Sequence, residues 1–388
     1  MMGSASGKSD TIKMCIQAAA PRLLLMILVA LGLLFSQDLS HVVTVVNIEV
    51  PVRVFKGDTF VGHLTMADFE IEEDGQAQKI EDVYLINKTK IDRSEETKKY
   101  SPKLSTRRFI LLFELDDYVP QIAEAIDFFF AKVIDIGDNL EVVTPMKSYH
   151  LKGESLKKLS RRSISDQLTE KVKKDIRLAA MPLKSALRDL DMWLTGSPEG
   201  RSPGDLREIL ERIRDWKSLD EKKLLEFASA LKKVEGQKNV FLFYQREAMK
   251  IPVGVDLEDL QRPVFFDAGK MKRAFADSSC AIHFLYVTIT LQQRTDVTTM
   301  RPEDVEIVEQ SQDIYGAFRE LARATGGFSE SSANPASSFK RAVEASENYY
   351  LLYYTPTNTK PDGKFRDIKV RVKGGGYRVL HRAGYLAQ

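Results

Sequence analysis

The spacing of apolar residues changes period several times along the chain, and each change predicts a different element. From His41 to Phe55 the sequence HVVTVVNIEVPVRVF is β-branched and partly alternating, which predicts a strand. Lys56-Gly57-Asp58 turns the chain. Phe69 and Ile71 then alternate with Glu70 and Glu72, Asp74-Gly75 supplies a hairpin turn, and Ile80, Val83 and Leu85 resume the strand. Residues 88–106 are polar and turn-prone and are expected as a linker. Beyond them the pattern is different: Arg108 to Leu115 is a continuous apolar run, as in a strand covered on both faces. Ile122, Ile126, Phe129, Phe130 and Val133 follow at helical spacing, and Asn139 to Pro145 is again strand-like, so this stretch reads as a βαβ unit.

Residues 151–232 are expected to be mainly helical. Two amphipathic stretches lie there, Leu206, Ile209, Leu210 and Ile213, then Leu224, Leu225, Phe227, Ala228 and Leu231, with Gly236 as a helix stop. Asn239–Tyr244 and Cys280–Val287 are two more buried strands. Ile314, Phe318, Leu321 and Ala322 mark a helix stopped by Gly326-Gly327. The last forty residues are hairpin material: the strand Asn348–Tyr354, a turn carrying Pro356, Pro361 and Asp362-Gly363, and the alternating FRDIKVRVKG. The expected fold class is α/β, a mostly parallel sheet with helices on both faces, plus a small β-rich, sandwich-like part built from the N- and C-terminal segments. The expected divisions are a leader at 1–40, a β-rich segment at 41–87, the linker at 88–106, the α/β domain at 107–345 and a β-rich segment at 346–388. Which strands the terminal segments pair with is not legible at this level.

The N-terminus adds a location. Lys8, Lys13 and Arg22 precede the apolar run Leu23 to Phe35, the layout of a secretory signal, and the run is short for a membrane span of about 20 residues. No clean small-x-small cleavage site follows it, so a signal peptide and an uncleaved signal anchor both stand. Either way the chain is expected to be exported, to the periplasm, the cell surface or the medium.

Composition narrows the partners. The 388 residues carry 57 basic and 55 acidic side chains, a net charge of +2, so nothing global points to nucleic acid. Lys152 to Arg177 holds nine basic residues against four acidic ones, without interleaved aromatic side chains, and reads as a solvated helix face rather than a stacking platform. Cys15 and Cys280 cannot make a disulfide framework.

Several segments together carry a resemblance. VNIEVPVRVFKGDTFVGHLTMADFEIEEDGQAQKI (47–80), RRFILLFELDD (107–117), GQKNVFLFY (236–244), LARATGGFSES (321–331) and the ending from Glu347 to Ala387 resemble the von Willebrand factor A-related proteins of Acidobacteria-type bacteria. The resemblance implies a von Willebrand factor A-like (Rossmann-like) domain. Such domains often hold a divalent cation in a metal-ion-dependent adhesion site, through a D-x-S-x-S loop after the first strand, a threonine from a second loop and a later aspartate. A hard cation wants several oxygen ligands and leaves one position for a partner's carboxylate. Here Asp116 matches the first aspartate, but Tyr118 and Pro120 stand at the serine positions. Ser185 falls near the threonine position, and Tyr244, Gln245 and Arg246 stand where the later aspartate belongs. The resemblance therefore implies a degenerate metal site. Asp116, Asp117, Tyr118, Ser185, Gln245 and Arg246 are the candidate binding residues, and Glu114 and Asp116 are the remaining candidates for a weak Mg²⁺ ligand pair.

No G-x-S-x-G, H-E-x-x-H or phosphate-loop motif occurs, and the five histidines have no ligand-like spacing. His283 reads as a hydrogen-bonded core residue and Cys280 as a buried thiol. The expected function is a non-catalytic, extracytoplasmic protein-binding or scaffold module of the cell envelope. It would use no cofactor, no small-molecule substrate and no nucleic acid, and would meet the membrane only through an uncleaved N-terminal anchor. Two alternatives remain: metal-dependent adhesion with residual Mg²⁺, and a hydrolase on a degenerate A-like scaffold.

Overall fold

A computed structural model describes residues 47–97, 107–151, 155–196, 202–217, 221–234, 236–245, 249–252, 267–288, 305–308 and 312–388. The expected leader, Arg246 and residues 98–106 of the expected linker lie outside these. All described residues belong to one unit, Val46–Gln388.

The first part of the chain is β-rich: β1 (Ile48–Lys56), β2 (Thr59–Phe60), β3 (Phe69–Glu73), β4 (Gln76–Gln78), β5 (Ile80–Asn87) and β6 (Lys90–Glu96). The middle alternates, with β7 (Arg108–Glu114), α1 (Gln121–Phe128) continued by a π-helical turn over Phe129–Val133, β8 (Asn139–Val143) and β9 (Ser148–Leu151). A helical stretch follows: α2 (Ser155–Lys158), α3 (Arg161–Thr195), α4 (Pro203–Lys217) and α5 (Glu221–Lys232). Then come β10 (Lys238–Tyr244), β11 (Met249–Pro252), α6 (Ala268–Asp277), β12 (Cys280–Val287), β13 (Val305–Val308), α7 (Gln312–Ala324), β14 (Ser329–Ser332) and α8 (Pro335–Glu347). The chain ends with β15 (Asn348–Tyr354), β16 (Phe365–Val372), β17 (Arg378–His381) and β18 (Gly384–Leu386).

Two layers of antiparallel sheet enclose one core. In the first, the order is β17-β1-β15-β5-β6 with β2 hanging on β1; in the second it is β18-β16-β3-β4. The alternation of β1 sends Val50, Val52 and Val54 inward against Tyr350, Leu352, Ile71 and Val370. The pairing that the sequence left open is made by β1, which lies antiparallel between β15 and β17 with Val50 opposite Leu352. The outer face of β5 and β15 is apolar as well, through Tyr84, Ile86, Tyr349, Leu351 and Tyr353.

The third sheet runs β14-β12-β10-β7-β8-β9. Its apolar runs are continuous because successive residues serve two cores. Phe109, Leu111, Phe113, Phe241 and Phe243 point to a cluster with α1, α8 and the first half of α3. Ile110, Val240, Leu242, Ile282 and Phe284 point to the opposite cluster, with residues of α5, α6 and α7. Gly327 closes α7 against β12: a Cβ there would lie 1.8 Å from the Ile282 carbonyl oxygen, so no other residue fits.

The expected fold class, a mostly parallel Rossmann-like sheet with helices on both faces and a small β-rich appendix, is corrected. Among the described residues, ten of the fourteen strand pairings are antiparallel. The third sheet is itself mixed, because β9 returns antiparallel along β8. Eight helices and four sheets, one of them the two-stranded β11–β13, share the described chain. The error has a physical source. β9 is a short, half-exposed edge strand, SYHL, with no apolar alternation to announce it. Lys90–Glu96 is likewise a polar edge strand paired with β5, inside the segment expected as a linker.

Candidate functional site

The chain leaves β7 at Glu114 and passes Leu115, Asp116, Asp117 and Tyr118 at the C-terminal edge of the mixed sheet. β10 follows it one residue further, because the Gln245 backbone N–H donates to the Glu114 carbonyl at 2.9 Å. The Gln245 side-chain oxygen in turn accepts the Asp117 backbone N–H at 3.0 Å. Asp117 Oδ1 accepts from the Tyr118 N–H at 3.0 Å and from Lys184 Nζ, on α3, at 3.1 Å. The Tyr118 ring lies 5.9 Å from Lys173 Nζ, and burial, with Glu170 adding to it, pushes its hydroxyl pKa up.

The structure thus gathers Asp117, Tyr118 and Gln245 around Lys184. Asp116 is turned into the protein, only 1% exposed, and Ser185 is exposed on α3 beside Lys184. Arg246 lies outside the described residues. Lys184 was not among the candidates; its only signal was its position next to Ser185 in PLKSALRDL. Both ends of its ion pair are about half exposed, 46% and 52%, so it contributes at most about 1 kcal/mol. Its effect is on charge: an ammonium already sits on the one loop carboxylate that faces solvent. Among the described residues no three or more His, Cys, Asp or Glu side chains cluster as metal ligands do.

The neighbouring surface carries exposed apolar side chains among charged ones. In the second half of α3, Leu183, Ala186 and Leu190 pack against Ile209 and Ile213 of α4. At 3.6 residues per turn Leu178, Met181 and Met192 fall on the opposite face, where they are 42%, 61% and 57% exposed. The turn after β8, with exposed Met146, is pinned to the same helix: Thr144 Oγ1 and Tyr149 Oη lie 2.9 and 2.7 Å from Asp175 Oδ2. Burial and this bond push the Tyr149 hydroxyl up to about 12. Lys171, Lys174, Arg177 and Arg188 are exposed on α3 around the patch.

The opposite, N-terminal edge of the mixed sheet faces the outer side of β1 and β15 across a cleft of about 520 Å³. Several bonds fix the two walls. The Ala383 N–H donates to the Ala324 carbonyl at 2.7 Å, and the Leu386 N–H to Asp277 Oδ1 at 2.8 Å. Arg53, 4% exposed, spans from β1 to the Gly326 carbonyl at 2.9 Å. Burial lowers its pKa from the ordinary guanidinium range to about 10. The Cys280 thiol in this wall is pushed up to about 11, chiefly by burial, and is protonated at neutral pH. His283, on the same strand, is stacked on Phe241 at 4.6 Å and takes the Phe328 N–H on Nδ1 at 3.3 Å. Burial, with the Arg53 charge adding to it, holds its pKa well below 6.5.

No helix among the described residues is long and apolar enough to cross a membrane. No family model and no curated protein matches the chain. A solved structure similar to it is the human COPII-coat protein Sec24c, at 8% identity over 74% of this chain, with a TM-score of 0.34. The chain spans 45% of that structure's length, and a likeness this weak bears on neither fold nor function.

Proposed function

We propose that the protein is a metal-independent protein-binding module that works outside the cytoplasm, in the cell envelope. The contact surface is the C-terminal edge of the mixed sheet together with the outer face of α3. The observation that carries this reading is the Lys184 ammonium 3.1 Å from Asp117. A divalent cation at this loop would meet that positive charge, an amide at Gln245 and a ring at Tyr118 instead of carboxylate and hydroxyl oxygens, so the residues present do not fit it. A protein partner fits better, because Leu178, Met181 and Met192 offer exposed apolar area beside the loop, a pattern that marks interaction surfaces. The exposed lysines and arginines around them select a partner with an apolar centre and an acidic rim. Likeness to von Willebrand factor A-related proteins is part of the same proposal, as is export by the apolar N-terminal run.

The test is affinity capture from cell-envelope extract on the immobilised wild-type chain and on a Met181→Asp/Met192→Asp variant, at low and raised salt. A protein held by the wild type, lost on the variant and weakened by salt supports the reading. Identical capture by both columns refutes it.

A further inference from the structure

The cleft at the opposite edge plays no part in that reading, yet it concentrates positive charge in a partly enclosed, partly apolar space. From the mixed sheet it is lined by Lys238 and Cys280, and from the other wall by Pro51, Arg53, Tyr349 and Leu351, with Arg382 beside them. Three cations meet only neutral acceptors here. Arg53 donates to the Gly326 carbonyl. Arg382 donates to Ser279 Oγ at 2.8 Å and to the Glu49 carbonyl at 2.7 Å. Lys238 Nζ donates to the Leu231 and Val234 carbonyls at 2.9 and 2.8 Å.

The two carboxylates of the cleft, Glu49 and Asp277, favour the Arg382 charge, and each also has another partner. Glu49 accepts from Tyr353 Oη at 3.0 Å, and Asp277 is paired with Lys232 at 2.5 Å. The Nε atoms of Arg53 and Arg382 are buried without an acceptor. The Arg53 guanidinium is removed from water with no carboxylate bonded to it, which is costly, and a bound anion would offset that cost. The planar guanidinium fork matches a carboxylate. The volume is that of a small-molecule site rather than of a single ion, and the Pro51, Tyr349 and Leu351 wall favours a carbon skeleton.

We propose that this cleft binds a small organic carboxylate with an apolar body, its head group taken by Arg53 and Arg382 and its body lying on Tyr349, Leu351 and Pro51. The site is independent of the protein-binding surface, and a ligand here would clamp the two walls together.

The test is calorimetric titration and thermal unfolding of the full chain with sodium octanoate, inorganic phosphate or sodium chloride at matched ionic strength. Three chains are compared with the wild type. Arg53→Met removes the buried cation, Thr89→Trp fills the mouth of the cleft from an exposed position, and Met181→Asp lies on the other surface. The expected result is saturable octanoate binding with a rise in Tm, weakened about tenfold or more by Arg53→Met and by Thr89→Trp and unchanged in Met181→Asp. Three results would overturn the proposal: no octanoate binding at millimolar concentration, equal binding by Thr89→Trp, or phosphate binding as well as octanoate. Because Thr89 is solvent-exposed, its variant keeps the test valid if Arg53→Met unfolds.

Discussion

Arg53→Met is expected to leave the ligand-free protein at least as stable as the wild type, against the usual outcome for a residue 4% exposed. Burial lowers the guanidinium from its ordinary range to about 10. At about 1.4 kcal/mol per tenfold step, the charged form is about 3 kcal/mol less favourable in the folded chain than in water. Methionine removes that cost and keeps most of the side-chain volume. It also strips the Gly326 carbonyl of its donor, which costs about 1–2 kcal/mol. The balance is a gain of about 1–2 kcal/mol near pH 7, read as a higher urea midpoint at unchanged m-value. A loss of more than about 2 kcal/mol would show that Arg53 is a structural tie, and would remove the reason to see it as a cation held for a ligand. The sign of the pH dependence follows. The unfolded chain holds this proton to higher pH than the folded chain, which releases it near about 10, so the penalty applies below about 10 and fades as pH rises past it.

Other substitutions should behave differently. Asp138→Ala leaves Arg107, 4% exposed and now bonded to Asp138 at 2.6 and 3.1 Å, without its main carboxylate, and should cost about 3–5 kcal/mol by urea unfolding. Tyr354→Phe removes the 2.6 Å bond to the buried Glu73 carboxyl, which Tyr385 still meets at 3.0 Å; a loss of about 1–3 kcal/mol is expected by the same assay. Lys184→Met should cost less than about 1 kcal/mol, because both ends of its pair are about half exposed. Acid should destabilise the fold through His283. Its folded pKa lies well below 6.5, so below that pH the unfolded chain takes up a proton that the folded chain refuses. Stability then falls with pH by up to about 1.4 kcal/mol per unit, and His283→Gln should flatten that part of the curve.

What could be read from the sequence was set by how much of each signal is local. Arg108–Glu114, Lys238–Tyr244 and Cys280–Val287 were legible because burial on both faces makes them continuously apolar. Of the helices after Ser155, α4, α5 and α7 were legible through 3.6-residue spacing, whereas α6 and α8 were not read from the sequence. Strand direction was not, because β9 and β6 are held by backbone bonds at polar edges and not by apolar side chains. The loop at Asp116–Tyr118 was located correctly at a strand end, but a strand end does not say which carboxylate faces out. The structure buries Asp116 and presents Asp117. Lys184 reaches Asp117 across 67 residues, and nothing near either residue signals the pair. The cleft was invisible for the same reason: Arg53 and Arg382 come from opposite ends of the chain and meet only through the β1–β17 pairing.

The most direct test of metal-independent binding is calorimetric titration of the full chain with Mg²⁺, Mn²⁺ and Ca²⁺, alongside thermal unfolding at millimolar metal and an Asp116→Ala control. The expected result is no saturable heat and no rise in Tm, in wild type and control alike. Saturable binding that disappears in Asp116→Ala would contradict it, because the loop would then hold a cation despite Lys184.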